Sequence, residues 1–225
     1  YCRIMMKLDP VFKRDLVNSG QLIGNAGNTP LIFVLLAMLF PLALGPEAHT
    51  LKSSAGGILI VILAFTILLN IDGLFRQDWR DGTLDMIVMS GRNLGSYALA
   101  HMAAHWFRQA LPLVVLGPLV AGSLGVPLAA YGITALVLGL AGAIFILIGG
   151  VANALMLAAR GGAFLLAFIS LPLYIPALIF AASSLQLAYR DLSPQAPLAF
   201  LGALFMVALV LAPLCINKLL GWQNE

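Results

Sequence analysis

Charge is scarce in this chain. Charged residues make up 9% of its 225 positions and hydrophobic ones 61%, and mean hydropathy is +1.01. An ordinary soluble domain is about 25% charged. A chain of this size cannot hide so much apolar surface from water, so lipid is its expected solvent. Cysteine is equally sparse. Cys2 and Cys215 stand near opposite ends, with no CxxC pair and no CxxCH run, which argues against a redox dithiol, a zinc site or attached c-type haem. No GxxxxGK[ST] phosphate loop occurs, so any ATP must be bound by another chain. The net charge of +3 is spread between apolar runs rather than gathered in a patch, which argues against nucleic acid. No signal-peptide pattern opens the sequence, so the first span is expected to be its own targeting signal.

What is present is a series of apolar runs. Spanning a bilayer takes about 20 apolar residues. Six runs meet or approach that length: Thr29–Leu44, Ala55–Ile71, Tyr97–Leu124, Leu128–Ala158, Ala163–Leu187 and Pro197–Leu219. The expected fold is an all-α membrane protein, one transmembrane domain over 1–225 with six transmembrane helices. Pro112, Pro118, Pro172 and Pro176 lie inside runs and predict kinks. The pair Pro172 and Pro176 predicts a helix break, as a hinge or a short re-entrant turn, with Tyr174 between them seeking a polar partner.

Orientation follows from the basic residues. With the N-terminus cytoplasmic, Arg3, Lys7, Lys13, Arg14, Arg76, Arg80, Arg92, Arg160 and Lys218 fall inside, and only Lys52 and Arg190 fall outside. Both termini are then cytoplasmic. Residues 1–27 read as an interfacial segment. Asp9 suits an N-cap and Pro10 a first helical position, with Leu8, Val11, Phe12 and Leu16 opposite Lys13, Arg14 and Asp15. The alternative is a frayed tail whose charges serve topology only.

Between the second and third runs lies the one strongly polar stretch of any length, LFRQDWRDGTLD at Leu74–Asp85, within a cytoplasmic loop placed at 74–95. Gly82 can take positive φ and end one helix, Thr83 can cap the next, and Asp85 adds negative charge to its first turn. The expectation is a short helix lying across the cytoplasmic face, with Leu84, Ile87 and Val88 entering a groove on a partner.

This stretch resembles the cytoplasmic loop of ABC-type permeases that carry a DGTL or EGTL element. The chain as a whole resembles the CcmB family, haem exporter protein B of cytochrome c maturation. The matching pieces are LFPLALGPE at Leu39–Glu47, LFRQDWRDGTL at Leu74–Leu84, AHW at Ala104–Trp106 with Leu111-Pro112, RGG at Arg160–Gly162, and LPLYIPALIFA at Leu171–Ala181. Together they cover about residues 28–185. The resemblance implies a permease subunit that pairs with a separate CcmA-like ATPase and works beside CcmC-like and CcmD-like subunits. The complex would use ATP to release a haem-loaded CcmE-like chaperone. Phe75, Arg76, Asp78, Arg80, Asp81, Gly82, Thr83, Leu84 and Asp85 would then be the residues that couple the ATPase to the spans. A bacterial inner membrane is expected, with the mitochondrial inner membrane as the alternative, and a second copy of the chain is expected beside the first.

Other polar residues admit two readings. His101 and His105 share a helix face, with Trp106 and Arg108 following. One histidine could ligate haem while Arg108 meets a propionate, or all four could simply pack between helices. Glu47, after Gly45-Pro46, is either plain loop or a contact for an outer partner. Asn153 points to an interhelical hydrogen bond ahead of a substrate contact. Gly139, Gly142 and Gly149-Gly150 permit close packing, within the chain or against a second copy. Two rival functions stand beside the haem permease: a membrane scaffold with no path of its own, and a permease for a lipid-linked sugar or drug.

Overall fold

The structure, a computed structural model, describes residues 28–44, 48–71, 74–89, 94–158 and 163–221. Eight α-helices occur among the described residues: α1 (Asn28–Leu44), α2 (Ala48–Ile71), α3 (Arg76–Arg80), α4 (Thr83–Met89), α5 (Leu94–Ser123), α6 (Tyr131–Ala158), α7 (Ala163–Tyr189) and α8 (Gln195–Gly221). A 3-10 turn at Leu128–Ala130 leads into α6. The interfacial helix expected over 1–27 and the Glu47 loop lie outside the described residues.

Four helical stretches are long and apolar enough to cross a membrane: Leu51–Ile71, Leu128–Leu157, Leu165–Tyr189 and Gln195–Leu219. The other two expected spans differ in instructive ways. α1 is apolar but has only 17 residues. α5 has 30 residues, but His101, His105, Arg108 and Gln109 interrupt it up to its middle. The outer surface is oily where a soluble bundle would be polar: Leu42, Leu69, Val115, Phe168, Phe200, Met206 and Val210 are all exposed. Patches like these are rare on monomeric soluble proteins and match a hydrocarbon solvent.

α6 is the central helix. It packs against α2, α5, α7 and α8, while α1 rests on α2 and α5. Four of its glycines set how closely its neighbours approach, and each faces a neighbour within the chain. Gly139 lies against Val114 and Trp106, and Gly142 against Ala110 and Ile67. Gly149 faces Tyr174 and Ile71, and Gly150 faces Met102 and Leu74. Trp106 Nε1 donates to the Gly139 carbonyl at 3.1 Å, using the same opening.

α7 corrects one expectation. It runs without a break through Pro172 and Pro176. Each proline removes a ladder hydrogen bond, but packing holds the helix together. Tyr174 is fully buried, its ring lies 4.7 Å from that of Phe145, and its hydroxyl donates to the Phe145 carbonyl at 2.8 Å. The polar partner sought by Tyr174 is therefore the backbone of α6, reached with the helix intact.

At the other end of the bundle, α5 closes with Gly125 at φ +84, Gly125 N–H on the Gly122 carbonyl and Val126 N–H on the Ala121 carbonyl. α7 ends on the same pair of bonds, with Asp191 at φ 57 in the glycine's place. Both are Schellman stops, which return orphan carbonyls to hydrogen bonding.

Candidate functional site: the elbow between α2 and α5

α3 and α4 form an elbow that leaves the end of α2 and returns to α5. The Leu74 N–H bonds the Ile71 carbonyl at 3.0 Å, and the Trp79 N–H bonds the Phe75 carbonyl at 3.0 Å. Gly82 then takes φ +69, a conformation open to glycine, and ends α3. The Gly82 carbonyl accepts the first bond of α4 from the Met86 N–H, so Thr83 is the first helical residue rather than the cap.

The bundle grips this elbow from two sides. From α5, the Tyr97 hydroxyl donates to Asp78 Oδ2 at 2.6 Å. One turn on, His101 Nε2 lies 2.8 Å from the Leu74 carbonyl and 3.7 Å from the same carboxylate oxygen. A carbonyl only accepts, so His101 Nε2 carries a proton and donates. The His101 ring also lies near Phe75 and Tyr97, with centroids 5.6 and 5.8 Å away. From α6, Asn153 Oδ1 accepts the Phe75 N–H at 3.2 Å, and Asn153 Nδ2 donates to the Ile71 carbonyl at 3.1 Å. The interhelical bond expected of Asn153 is there, made to backbone. Phe75 and Leu74 are buried among these groups.

The elbow therefore has an inward side and an outward one. Of the nine expected coupling residues, Phe75 and Leu84 are buried in the chain's own core, and Asp78 is held by Tyr97. Arg80 and Asp81 are exposed. The side chains of Arg76, Asp85 and Val88 lie outside the described residues. The expectation that Leu84 and Ile87 enter a partner's groove is corrected, since both pack against this bundle. The apolar residues left outward are Trp79, Met86 and Met89, at 42%, 67% and 80% exposure. Neither Tyr97 nor these three was singled out as a site residue from sequence. The signal for Tyr97 was its spacing, one turn before His101.

His105, Trp106 and Arg108 sit deeper along α5. Arg108 Nη2 lies 3.2 Å from His105 Nδ1. A guanidinium only donates, so Nδ1 presents its lone pair and the His105 proton is on Nε2. Neither histidine thus offers an Nε2 lone pair in this arrangement. Among the described residues, no three His, Cys, Asp or Glu side chains gather as a metal set.

Removing the Tyr97 hydroxyl tests the grip. Hydrogen bonds to a charged group contribute about 1.5 kcal/mol. Tyr97→Phe is therefore expected to raise amide hydrogen exchange over Asp78–Arg80 roughly tenfold, with little change in α6.

Comparison with known proteins gives a consistent answer. The profile of the CcmB protein family matches residues 6–221. The chain is 37% identical over 189 residues to heme exporter protein B of Pseudomonas aeruginosa, covering 84% of this chain and 85% of that one. It is 34% identical over 206 residues to the Haemophilus influenzae protein of the same name, covering 92% and 93%. It is 34% identical over 203 residues to that of Escherichia coli K12, covering 90% and 92%. With the match running nearly end to end, this chain belongs to the CcmB family.

Proposed function

We propose that this chain is the permease subunit of an ATP-driven haem-handling complex of cytochrome c maturation, worked through its elbow by a separate ATPase subunit. The observation that carries this reading is the elbow's construction. A short two-helix segment is clamped to α5 and α6 on its inner side and presents Trp79, Met86 and Met89 on its outer side. Such a part suits the transfer of force from an outside partner into a bundle. The names of the relatives, heme exporter protein B, supply the cargo.

In this reading all six apolar runs cross a bacterial inner membrane, and both termini and the elbow lie on the cytoplasmic side, where ATP is. α5 crosses despite its polar residues, because His105 and Gln109 are buried against the bundle rather than turned to lipid. Two copies pair around the partner ATPase. CcmC-like and CcmD-like subunits complete the complex, and a CcmE-like chaperone receives the haem. Haem is cargo here. The two histidines serve the elbow and the α5 face, which fits their hydrogen-bond roles better than iron ligation.

One observation favours the scaffold reading. The interior of the single chain is close-packed and mostly apolar, with Leu59, Leu63, Ile67, Leu113, Ile144 and Phe145 fully buried. The carboxylates of haem would need a polar route, so a path would have to run between subunits. Reconstitution of the complex in vesicles separates the two. The permease reading expects ATP-dependent haem appearance across the membrane. The scaffold reading expects ATP hydrolysis with no flux. An ATPase subunit that fails to co-purify in mild detergent would end both.

A further inference from the structure

Asn153 stands on α6 one turn beyond Gly149-Gly150, at 3% exposure. Its single amide holds both sides of one turn: the carbonyl of Ile71, the last residue of α2, and the N–H of Phe75, which precedes α3. The task needs a donor and an acceptor on one short planar group. Asp lacks the donor, Leu lacks both, and Gln is a methylene longer. The two bonds also differ mechanically from one. A single hydrogen bond lets the partner pivot, whereas two bonds to opposite sides of a turn fix its orientation.

The position matters because of chain order. α2 and α5 are joined to the elbow through the backbone and follow it in any case. α6 is separated from the elbow by all of α5, yet it is the helix that packs on α2, α5, α7 and α8. Asn153 gives this central helix a rigid hold on the elbow. The glycines beside it bring the parts close enough: a Cβ on Gly150 would lie 2.5 Å from Met102 Sδ and 3.5 Å from Leu74 Cδ2.

We propose that Asn153 is the positioning residue that delivers displacement of the elbow into α6, and through α6 to the opposite end of the bundle. This rests on the reading of an ATPase at the elbow. The test uses the complex with its ATPase subunit in nanodiscs, in a Cys2→Ser, Cys215→Ser background. An environment-sensitive fluorophore is placed on Arg80→Cys at the elbow or on Leu128→Cys, exposed in the turn before α6 at the opposite end.

In the otherwise unchanged protein both probes respond to ATP. With Asn153→Leu the elbow probe still responds and the ATPase subunit still binds, but the response at position 128 falls at least fivefold. Asn153→Asp, which keeps the acceptor for Phe75 but sets a carboxylate oxygen against the Ile71 carbonyl, also lowers the response at position 128. An undiminished response at position 128 in Asn153→Leu overturns the assignment and leaves the ATPase reading standing. An elbow probe silent in the unchanged complex removes the ATPase reading instead. If neither variant accumulates as folded protein, Asn153 is a folding residue and the assignment also fails.

Discussion

Changing Met86 and Met89 together to Glu is expected to weaken binding of the ATPase subunit roughly a hundredfold. The two residues lie three apart on α4 and share its outward face, while Leu84 and Ile87 occupy the inward one. Burying a methionine against a partner contributes about 1.5–3 kcal/mol. Losing two, and desolvating two carboxylates in their place, removes at least about 3 kcal/mol, which is two decades of affinity. Titration of the ATPase subunit against the protein in nanodiscs reads this directly. The fold is expected to survive, since outward substitutions of this kind stay within about 0.5 kcal/mol. Reversing the charge of Asp81 or Arg80 at the rim should have a smaller effect that fades with salt. Unchanged affinity in the Met86→Glu, Met89→Glu protein would place docking elsewhere.

The second large effect is on stability. Gly149→Val is expected to destabilise the bundle by about 2–4 kcal/mol. A Cβ there would lie 2.6 Å from the Tyr174 hydroxyl oxygen and 2.8 Å from Ile71 Cδ1. Valine adds two further carbons, so the Tyr174 ring and the Ile71 side chain must both shift. Overpacking of this kind costs about 1–3 kcal/mol. Displacing Tyr174 also removes its bond to the Phe145 carbonyl, worth about 0.6 kcal/mol or more in a membrane. Gly57→Val is the control: a Cβ at Gly57 meets nothing within 4 Å. Reversible unfolding in mixed micelles should show a large loss for Gly149→Val and a small one for Gly57→Val. Similar values for the two would mean that α6 does not set the packing.

These expectations also show which parts of the molecule can be read from its sequence. Scarce charge and long apolar runs suffice for an all-helical membrane fold. The run of charges at Leu74–Asp85 suffices to locate the elbow, and Gly82 takes the positive φ that was expected to be open to it. The direction of α4's faces was not legible. Its sequence is TLDMIVM, with apolar residues nearly all round, so no period selects Leu84 and Ile87 over Met86 and Met89 as the inward pair. The prolines of α7 misled because a local rule met a stronger tertiary contact at Tyr174. Asn153 was visible as a polar residue in an apolar helix. Its partners were not, since they are backbone groups of Ile71 and Phe75, which no side-chain pattern marks.

The same amide bears on how the protein is made. Phe75 leaves the ribosome 78 residues before Asn153 does. Until that later stretch arrives, the Phe75 N–H lacks its partner on α6, and the Ile71 carbonyl keeps only the Leu74 N–H. On the proposed reading, the elbow is expected to take its final shape only once α6 has been made, and a chain halted before α6 would carry a lever not yet set.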